Sequence, residues 1–278
     1  MSACRRAGRG GSPTAVLDET ALSNDERCMV PVLTGTSHAV FVSAGGGGCH
    51  VPEVSLRFFT ATGELPACGH GTVAALAFLA EREGGRDFQA TVRTAGRTFT
   101  GRVTRVNGQY EAAFELGPVD VREPASGDSD LVLHPLGVAV DTLVPGIRVA
   151  TLGRPRLLVP VSTRSALATL APDFDRLRAA CDRLGLLGCY VYCTPTAEGR
   201  TTARMFAPSI GVPEDVANAN STACLAAHLA REGRSAISVD MGDALGIPST
   251  ITAAAWSSEA GPRVRVGGTA AVVHVVRL

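Results

Sequence analysis

The chain contains no lysine, and all 26 basic residues among its 278 are arginines. Without a lysine amine, the sequence excludes pyridoxal-phosphate enzymes, class I aldolases and phosphate-binding P-loops. Aromatic residues are scarce at 5%, and the arginines are scattered without interleaved aromatics. Because 26 acidic residues balance the arginines, no net charge draws the chain to nucleic acid or to an anionic membrane.

Long hydrophobic runs are also lacking, since none reaches the roughly 18 residues of a membrane span. The amino terminus has no apolar segment of the kind found in secretory signals. The eight cysteines form no CxxC pair and no disulfide or zinc-site spacing, so we expect reduced thiols, no bound metal and a cytoplasmic location. With 45% apolar residues, the chain can build one large domain or two of ordinary size.

Strand-like patterns outnumber helical ones along the chain. Strands are predicted at residues 14–17, 39–43, 54–60, 89–106, 111–116, 156–161, 189–194, 202–206, 236–239 and 270–278. Helices are predicted at 69–82, 172–184 and 220–231. Many strands around few helices predict an α+β architecture. The polar segment 122–130, with its proline and glycine, is the predicted linker between domains.

An internal repeat connects two of the predicted helices. Residues 68–81 (CGHGTVAALAFLAE) align with residues 218–231 (NANSTACLAAHLAR) at a constant offset of 150. Upstream of each helix lies a short strand with an Arg-x-Phe pattern, which begins at Arg57 in the first copy and at Arg204 in the second. The repeat predicts two similar halves, each with a strand, a tight turn of small residues and a helix.

The two helix starts carry the polar residues that could bind and activate a ligand, because backbone N–H groups and the helix dipole there attract a carboxylate. Cys68 precedes the first helix, where the pKa of a thiol is lowered; a small buried cysteine is the equally good alternative. His70 is a candidate second acid or base, although a lone histidine is more often structural. Asp215 could orient substrate or begin a helix, and Asn218 and Asn220 could bind ligand or cap the helix.

Two segments resemble the paired signatures of the PhzF-like family of phenazine-biosynthesis isomerases. These are RFFTATGELPACGHGTVAA (57–75) and ARMFAPSIGVPEDVANANSTACLAAHLA (203–230), with weaker matches in GSPTAVL (11–17), GRPRLLVPV (153–161) and GIPS (246–249). The family belongs to the diaminopimelate epimerase and proline racemase superfamily. The resemblance implies two pseudo-symmetric β-rich lobes, each around a central helix, with no metal or cofactor. The first lobe would span 1–121, with strand 268–278 returning to it, and the second 131–267.

The resemblance also implies site residues, position by position. The family's Gly-His pair falls on Gly69 and His70, its aspartate on Asp215, and the usual serine of the second turn on Asn220. A racemase-type cysteine falls on Cys68, but its partner cysteine falls on Asn218, whose amide cannot act as a base. The implied catalytic residues are Cys68, His70 and Asp215, and the implied substrate-binding residues are Ser37, Gly69, Gly71, Thr72, Asn218, Ala219, Asn220 and Ser221.

The sequence departs from the family pattern at two places. The family's glutamate, just before a strand, falls on Ser37, and no carboxylate lies between residues 31 and 48. The apolar opening strand before residue 11 is replaced by CRRAGRG, which predicts either an incomplete first lobe or a misassigned start codon.

A single base suffices for a suprafacial proton shift, whereas racemisation needs a proton donor on each face of one carbon. We therefore expect a cofactor-free isomerase that moves a double bond in a small carboxylic acid of antibiotic-type metabolism, with a homodimer as the possible assembly. The alternatives are an amino-acid epimerase or racemase with an unidentified second base, and an inactive ligand-binding homologue.

Overall fold

The computed structural model describes residues 1–45, 51–85, 87–259 and 262–276. The chain divides into two compact units. One consists of Met1–Glu115, Pro248–Thr250 and Val266–Leu278, and the other of Leu116–Ile247 and Ile251–Arg265. The segment predicted as a linker, 122–130, lies in the second unit. No helix in the described part of the chain is both long and apolar enough to cross a membrane.

The first unit contains strands β1 to β8 and two helices. The strands are β1 (Ser2–Arg5), β2 (Ser12–Asp18), β3 (His38–Ala44), β4 (Glu53–Thr60), β5 (Gly63–Leu65), β6 (Phe88–Thr94), β7 (Arg97–Val106) and β8 (Gln109–Leu116); the helices are α1 (Asn24–Thr34) and α2 (Gly69–Arg82). Strand β3 runs parallel to β2 and antiparallel to β4. Strand β4 also pairs with β5 and, in parallel, with β6, which leads into the meander β6–β7–β8.

The second unit contains strands β9 to β15 and four helices. The strands are β9 (Asp120–Arg122), β10 (Arg148–Leu152), β11 (Arg154–Val161), β12 (Cys189–Cys193), β13 (Arg200–Ala207), β14 (Val212–Asp215) and β15 (Ala236–Met241); the helices are α3 (Asp128–Leu136), α4 (Arg164–Ala168), α5 (Phe174–Leu184) and α6 (Ala219–Ala230). Strand β12 runs parallel to β11 and antiparallel to β13, which pairs with β14 and, in parallel, with β15. Strands β16 (Ser249–Trp256) and β17 (Arg263–Ala271) contribute residues to both units.

The two units repeat one order of connections, as the sequence repeat predicts. The sequence β2, β3, β4, β5, α2, β6 of the first unit has the same pairings as β11, β12, β13, β14, α6, β15 of the second. Side chains repeat as well: Arg57 pairs with Glu64 and lies over a phenylalanine ring, and Arg204 does the same with Glu214. The predicted α+β fold with two pseudo-symmetric lobes is confirmed.

Each unit surrounds one of the two repeated helices. In α2, ten of the residues from His70 to Ala80 are buried, and in α6 every residue from Ser221 to Leu229 is buried. Runs of alanine allow both helices to be enclosed on most sides, because small side chains let neighbouring strands approach closely. The starts of α2 and α6 are thereby fixed by a packed core.

Two sequence-based expectations about the ends of the chain were wrong, and one helix near the amino terminus was missed. The opening strand is present as β1, whose Ala3 and Cys4 are fully buried and which pairs with β2 and β17. Strand β17 ends at Ala271, earlier than the predicted strand 270–278, of which 277 and 278 lie outside the described residues. Helix α1 was not predicted; Ser23 and Glu26 form a capping box that starts it.

Candidate active site

Cys68 lies at the start of α2 with its sulfur turned into the helix. It is the N-cap residue, and its Sγ accepts a hydrogen bond from the backbone N–H of Gly71 at 3.4 Å. The side chain is buried, with 6% of Cys68 exposed. Gly71 makes this contact possible, because a Cβ at that position would lie 3.0 Å from Sγ. A side chain at residue 71 would therefore crowd the sulfur at the helix start.

Two histidines complete a cluster around this thiol. The Nε2 atom of His70 lies 3.3 Å from Cys68 Sγ and 2.9 Å from His38 Nδ1. The rings of the two histidines meet edge to face, with centroids 4.3 Å apart. We name His38, Cys68 and His70 the thiol–imidazole cluster. His38 was not among the residues predicted from the sequence. Its contact with His70 arises because the start of β3 packs beside the start of α2.

The environment of His38 keeps its ring neutral. Burial, and secondly the neighbouring His70, lower the pKa of His38 from 6.5 to about 2. Because neutral imidazole is then the form present near pH 7, His38 brings no positive charge to the thiol.

Ser37, where the family's glutamate was placed, is next to the cluster. Its hydroxyl donates to the carbonyl of Pro13 at 2.9 Å and lies 3.0 Å from His38 Nδ1 and 3.2 Å from the hydroxyl of Ser12. Ser37 therefore reaches the thiol–imidazole cluster only through His38. The residue beside it, and not Ser37 itself, contacts His70.

The other predicted residues of the first helix start have local roles. Gly69 begins α2 and is half-buried. The Thr72 hydroxyl donates to the carbonyl of Cys68 at 2.8 Å and is buried, so it closes the first helical turn. This bond leaves the Thr72 side chain directed back along its own helix.

In the second unit, Asp215 and Asn218 form one hydrogen-bonded pair at the start of α6. The Asn218 amide donates to Asp215 at 2.9 Å, and its oxygen accepts from the backbone N–H of Ser221 at 2.8 Å. Asp215 also accepts from the backbone of Ala217 at 3.3 Å. Asn218 therefore caps the helix, as Cys68 does in the first unit, and fixes a carboxylate beside it.

The remaining predicted residues differ in what they expose. Ala219 and Ser221 are buried, and the Ser221 hydroxyl donates to the sulfur of Met205. Asn220 is half-buried, and its Oδ1 has no hydrogen-bond partner among the described residues. A buried carbonyl oxygen without a hydrogen-bond donor lowers the stability of the folded chain, which makes the Oδ1 atom of Asn220 a candidate acceptor for a ligand.

A buried arginine that the sequence search did not select lies beside the second helix start. Arg156 is 1% exposed and donates to the carbonyls of Leu152 and Arg154 at 2.9 and 2.7 Å. Its third contact is the hydroxyl of Ser221, at 3.4 Å. Arg156 lies in a β-strand, so the sequence patterns that mark the helix starts do not include it.

Comparison with known proteins gives this geometry a family. The model of the family described as Phenazine biosynthesis-like protein matches residues 4–275. The chain belongs to this family. It is 32% identical to the trans-2,3-dihydro-3-hydroxyanthranilate isomerase of Pseudomonas aeruginosa over 217 residues, which is 76% of this chain and 73% of that protein. The chain is accordingly an isomerase, and the resemblance stated from its two signatures is confirmed.

Solved structures share the fold over almost the full length. A phenazine biosynthesis protein of the PhzF family from Bacillus anthracis superposes with a TM-score of 0.81 at 18% identity, covering 96% of this chain and 93% of that one. A predicted epimerase from Pseudomonas aeruginosa gives a TM-score of 0.79 at 25% identity, covering 99% and 98%. These similarities confirm the predicted diaminopimelate epimerase-like fold. The roles of the individual site residues and the domain boundaries stay predictions.

Proposed function

We propose that the chain is a cofactor-independent isomerase that shifts a proton, and with it a double bond, in a small unsaturated carboxylic acid. The observation that carries this proposal is the contact of a buried thiol, Cys68 Sγ, with the imidazole of His70 at 3.3 Å at a helix start. A thiol within reach of an imidazole is a pair that can transfer protons.

In the proposed reaction, His70 takes the proton of Cys68, and the thiolate removes a proton from the carbon next to the substrate carboxylate. The C–H electron pair forms a new double bond, and the former double bond takes a proton at its far carbon from the Cys68 thiol. No atom or electron is gained or lost overall. Backbone N–H groups at a helix start stabilise the negative charge that develops on the carboxylate.

The start of α6 carries the other polar residues that the family resemblance implies for the site. The free Oδ1 of Asn220 can accept a hydrogen bond from substrate, and Asp215 is held by Asn218 in one orientation. We assign Asp215 the role of orienting the substrate or passing a proton. The other residues that we propose for substrate binding are Ser37, Gly69, Gly71, Thr72, Asn218, Ala219 and Ser221.

The substrate class follows from the family and remains part of the proposal. The relative described above is named for an unsaturated amino acid, trans-2,3-dihydro-3-hydroxyanthranilate, and a related intermediate of specialised, antibiotic-type metabolism is the substrate we propose. The cytoplasmic location and the homodimer stay predictions.

Deuterium transfer tests the proposal. The full chain is incubated in D2O with a panel of small unsaturated carboxylic acids that includes the relative's named substrate, and products are followed by NMR and mass spectrometry. We expect a displaced double bond and no inversion elsewhere. The newly protonated carbon carries deuterium in the fraction of turnovers in which the Cys68 thiol exchanges with solvent before it returns the proton, and the substrate's own hydrogen in the rest. Cys68→Ser should lower turnover by about 100-fold or more, since a serine hydroxyl is a far weaker acid than a thiol. Cys28→Ser, which changes a half-buried cysteine in α1, should turn over normally.

Other results would favour the alternatives. Deuterium at an inverted carbon without a double-bond shift would identify an epimerase. Ligand binding without exchange in the wild type would identify an inactive homologue. Unchanged turnover of Cys68→Ser would remove this thiol from the mechanism.

A further inference from the structure

The thiol–imidazole cluster has the composition of a transition-metal site. One possible ligand atom from each of His38, Cys68 and His70, a ring nitrogen or the sulfur, lies within 4.8 Å of the other two. Thiolate and imidazole are the ligands that Zn²⁺ prefers in proteins. The three residues come from the start of β3 and the start of α2, so their spacing in the sequence did not indicate a metal site.

One ring nitrogen of the cluster faces two neighbouring polar atoms at hydrogen-bond distance. A ring nitrogen carries either one proton or one lone pair, and His70 Nε2 faces both a sulfur at 3.3 Å and a nitrogen at 2.9 Å. It can make a full hydrogen bond with only one of them at a time. A cation placed among the three atoms would use all three lone pairs at once.

Two of the three separations in the cluster are close to those around a tetrahedral ion, and the separation between His38 and Cys68 is no more than 4.8 Å. With Zn–N near 2.0–2.1 Å and Zn–S near 2.3 Å, tetrahedral ligand atoms lie about 3.3 Å (N to N) and about 3.5 Å (N to S) apart. The observed 2.9 and 3.3 Å would have to widen by about 0.2–0.4 Å. The partly exposed ring of His38 can move by this amount, and Ser37, which would lose Nδ1 as a partner, keeps its bonds to Pro13 and Ser12.

The thiol–imidazole cluster offers three protein ligands to a metal ion. Among the described residues, the cluster of metal-ligating side chains at this place contains only His38, Cys68 and His70. Three protein ligands leave one tetrahedral position for water or for a small anion, which is the arrangement of zinc sites that exchange ligands and not of purely structural ones.

We propose that His38, Cys68 and His70 bind one Zn²⁺-type ion with an open fourth position. A second part of the inference rests on the proposed function: a bound ion would engage the thiol and imidazole that transfer the proton, so the metal would switch the isomerase off. Activity would then require the cluster to be free of metal.

Metal titration of the full chain tests the first part without any need for a substrate. Protein freed of metal with a chelator is titrated with Co²⁺, and Zn²⁺ affinity is measured by competition with a chromophoric chelator. We expect one ion per chain, visible absorption of tetrahedral Co²⁺, and a near-ultraviolet sulfur-to-cobalt charge-transfer band. Absence of these bands, or a site that saturates only at millimolar metal, would overturn the proposal.

Variants then assign the ligands. Cys68→Ser should abolish the charge-transfer band, and His38→Ala should lower affinity by about tenfold or more. His70→Asn serves as the second test if His38→Ala fails to fold. The matched controls Cys28→Ser and His134→Ala, which change a thiol and an exposed imidazole outside the cluster, should bind as the wild type does. Wild-type affinity in both His38→Ala and His70→Asn would refute the ligand set.

The failure of this inference can be told apart from failure of the proposed function. Turnover by chelator-treated protein that binds no Co²⁺ would reject the metal site and leave the isomerase intact. Stoichiometric Co²⁺ binding by a chain that converts none of the substrates would support the metal site and reject the proposed isomerase reaction. Zn²⁺ that binds without lowering turnover would reject the inhibitory role alone.

Discussion

The placement of the Cys68 sulfur depends on a single missing side chain, which makes Gly71→Ala the most informative substitution. The new Cβ would lie 3.0 Å from Cys68 Sγ and 3.1 Å from both Phe58 Cδ1 and Val40 Cγ2. Since carbon atoms pack at about 3.5–4.0 Å, all three neighbours must move by several tenths of an ångström. Val40 and Phe58 belong to strands of the core and are no more than 1% exposed, whereas Cys68 lies at a helix end and is 6% exposed, so the sulfur is the atom that we expect to shift.

The size of the effect follows from two opposing contributions. Crowding of this kind costs about 1–3 kcal/mol. Alanine recovers up to about 1 kcal/mol over glycine within a helix. We therefore expect a net loss of about 1 kcal/mol in the free energy of unfolding, or about 2–4 °C in Tm. Turnover should fall further, by about tenfold or more, because small misplacements of a reacting group are costly.

Three measurements check this reasoning. Unfolding in urea gives the stability loss, the deuterium-transfer assay gives turnover, and alkylation of Cys68 followed by peptide mass spectrometry reports the position of its sulfur. In a double-mutant cycle, Gly71→Ala should cost less stability in a Cys68→Ala background, because the closest contact is then gone. Gly117→Ala is the control, as its Cβ would meet no atom within 4 Å. Wild-type alkylation and turnover in Gly71→Ala would refute the account of the helix start.

Two further predictions concern stability. Glu214→Gln should destabilise the chain by about 2–4 kcal/mol, since it leaves the Arg204 side chain, only 12% exposed, without its carboxylate, whereas Glu64→Gln at the more exposed pair with Arg57 should cost less than about 1 kcal/mol. Equal losses in urea unfolding would contradict this. Burial lowers the pKa of His228 below 6.5, so unfolding binds a proton and stability falls as the pH drops below 6.5. His228→Gln should flatten this decline between pH 7 and 5; an unchanged slope would show that His228 does not cause it.

The repeat was predictable from sequence because short local patterns, a capping residue followed by an alanine-rich helix, occur in both halves. Cys68 and Asn218 both cap their helices. Each is followed by a run of alanines, and small side chains of this kind are typical of a helix that strands enclose on most sides. His38 was not predictable in this way. Its contact with His70 depends on the register of β3 against β2 and β4, and this register arises from the packing of segments far apart in sequence. The opening strand was missed for a similar reason, since β1 is specified by its pairing partners and not by an apolar run.

The register of the two repeats also shows which side chains of the cluster have a counterpart in the second unit. Ala39 pairs with Phe59 in the first unit as Cys189 pairs with Phe206 in the second, so His38 corresponds to Gly188. A Cβ at residue 188 would lie 2.0 Å from the carbonyl oxygen of Phe206, which leaves no room there for any side chain.

The other two members of the cluster lose their titratable groups in the same comparison. At the offset of 150, Cys68 corresponds to Asn218 and His70 to Asn220, and neither amide can act as a base. The second helix start keeps Asp215 as its ionisable group, and Asn218 donates a hydrogen bond to that carboxylate. Racemisation needs a base on each face of one carbon, while a suprafacial proton shift needs one. A duplicated fold in which one copy retains the thiol and imidazoles and the other retains amides and a tied carboxylate therefore favours the single-base reaction.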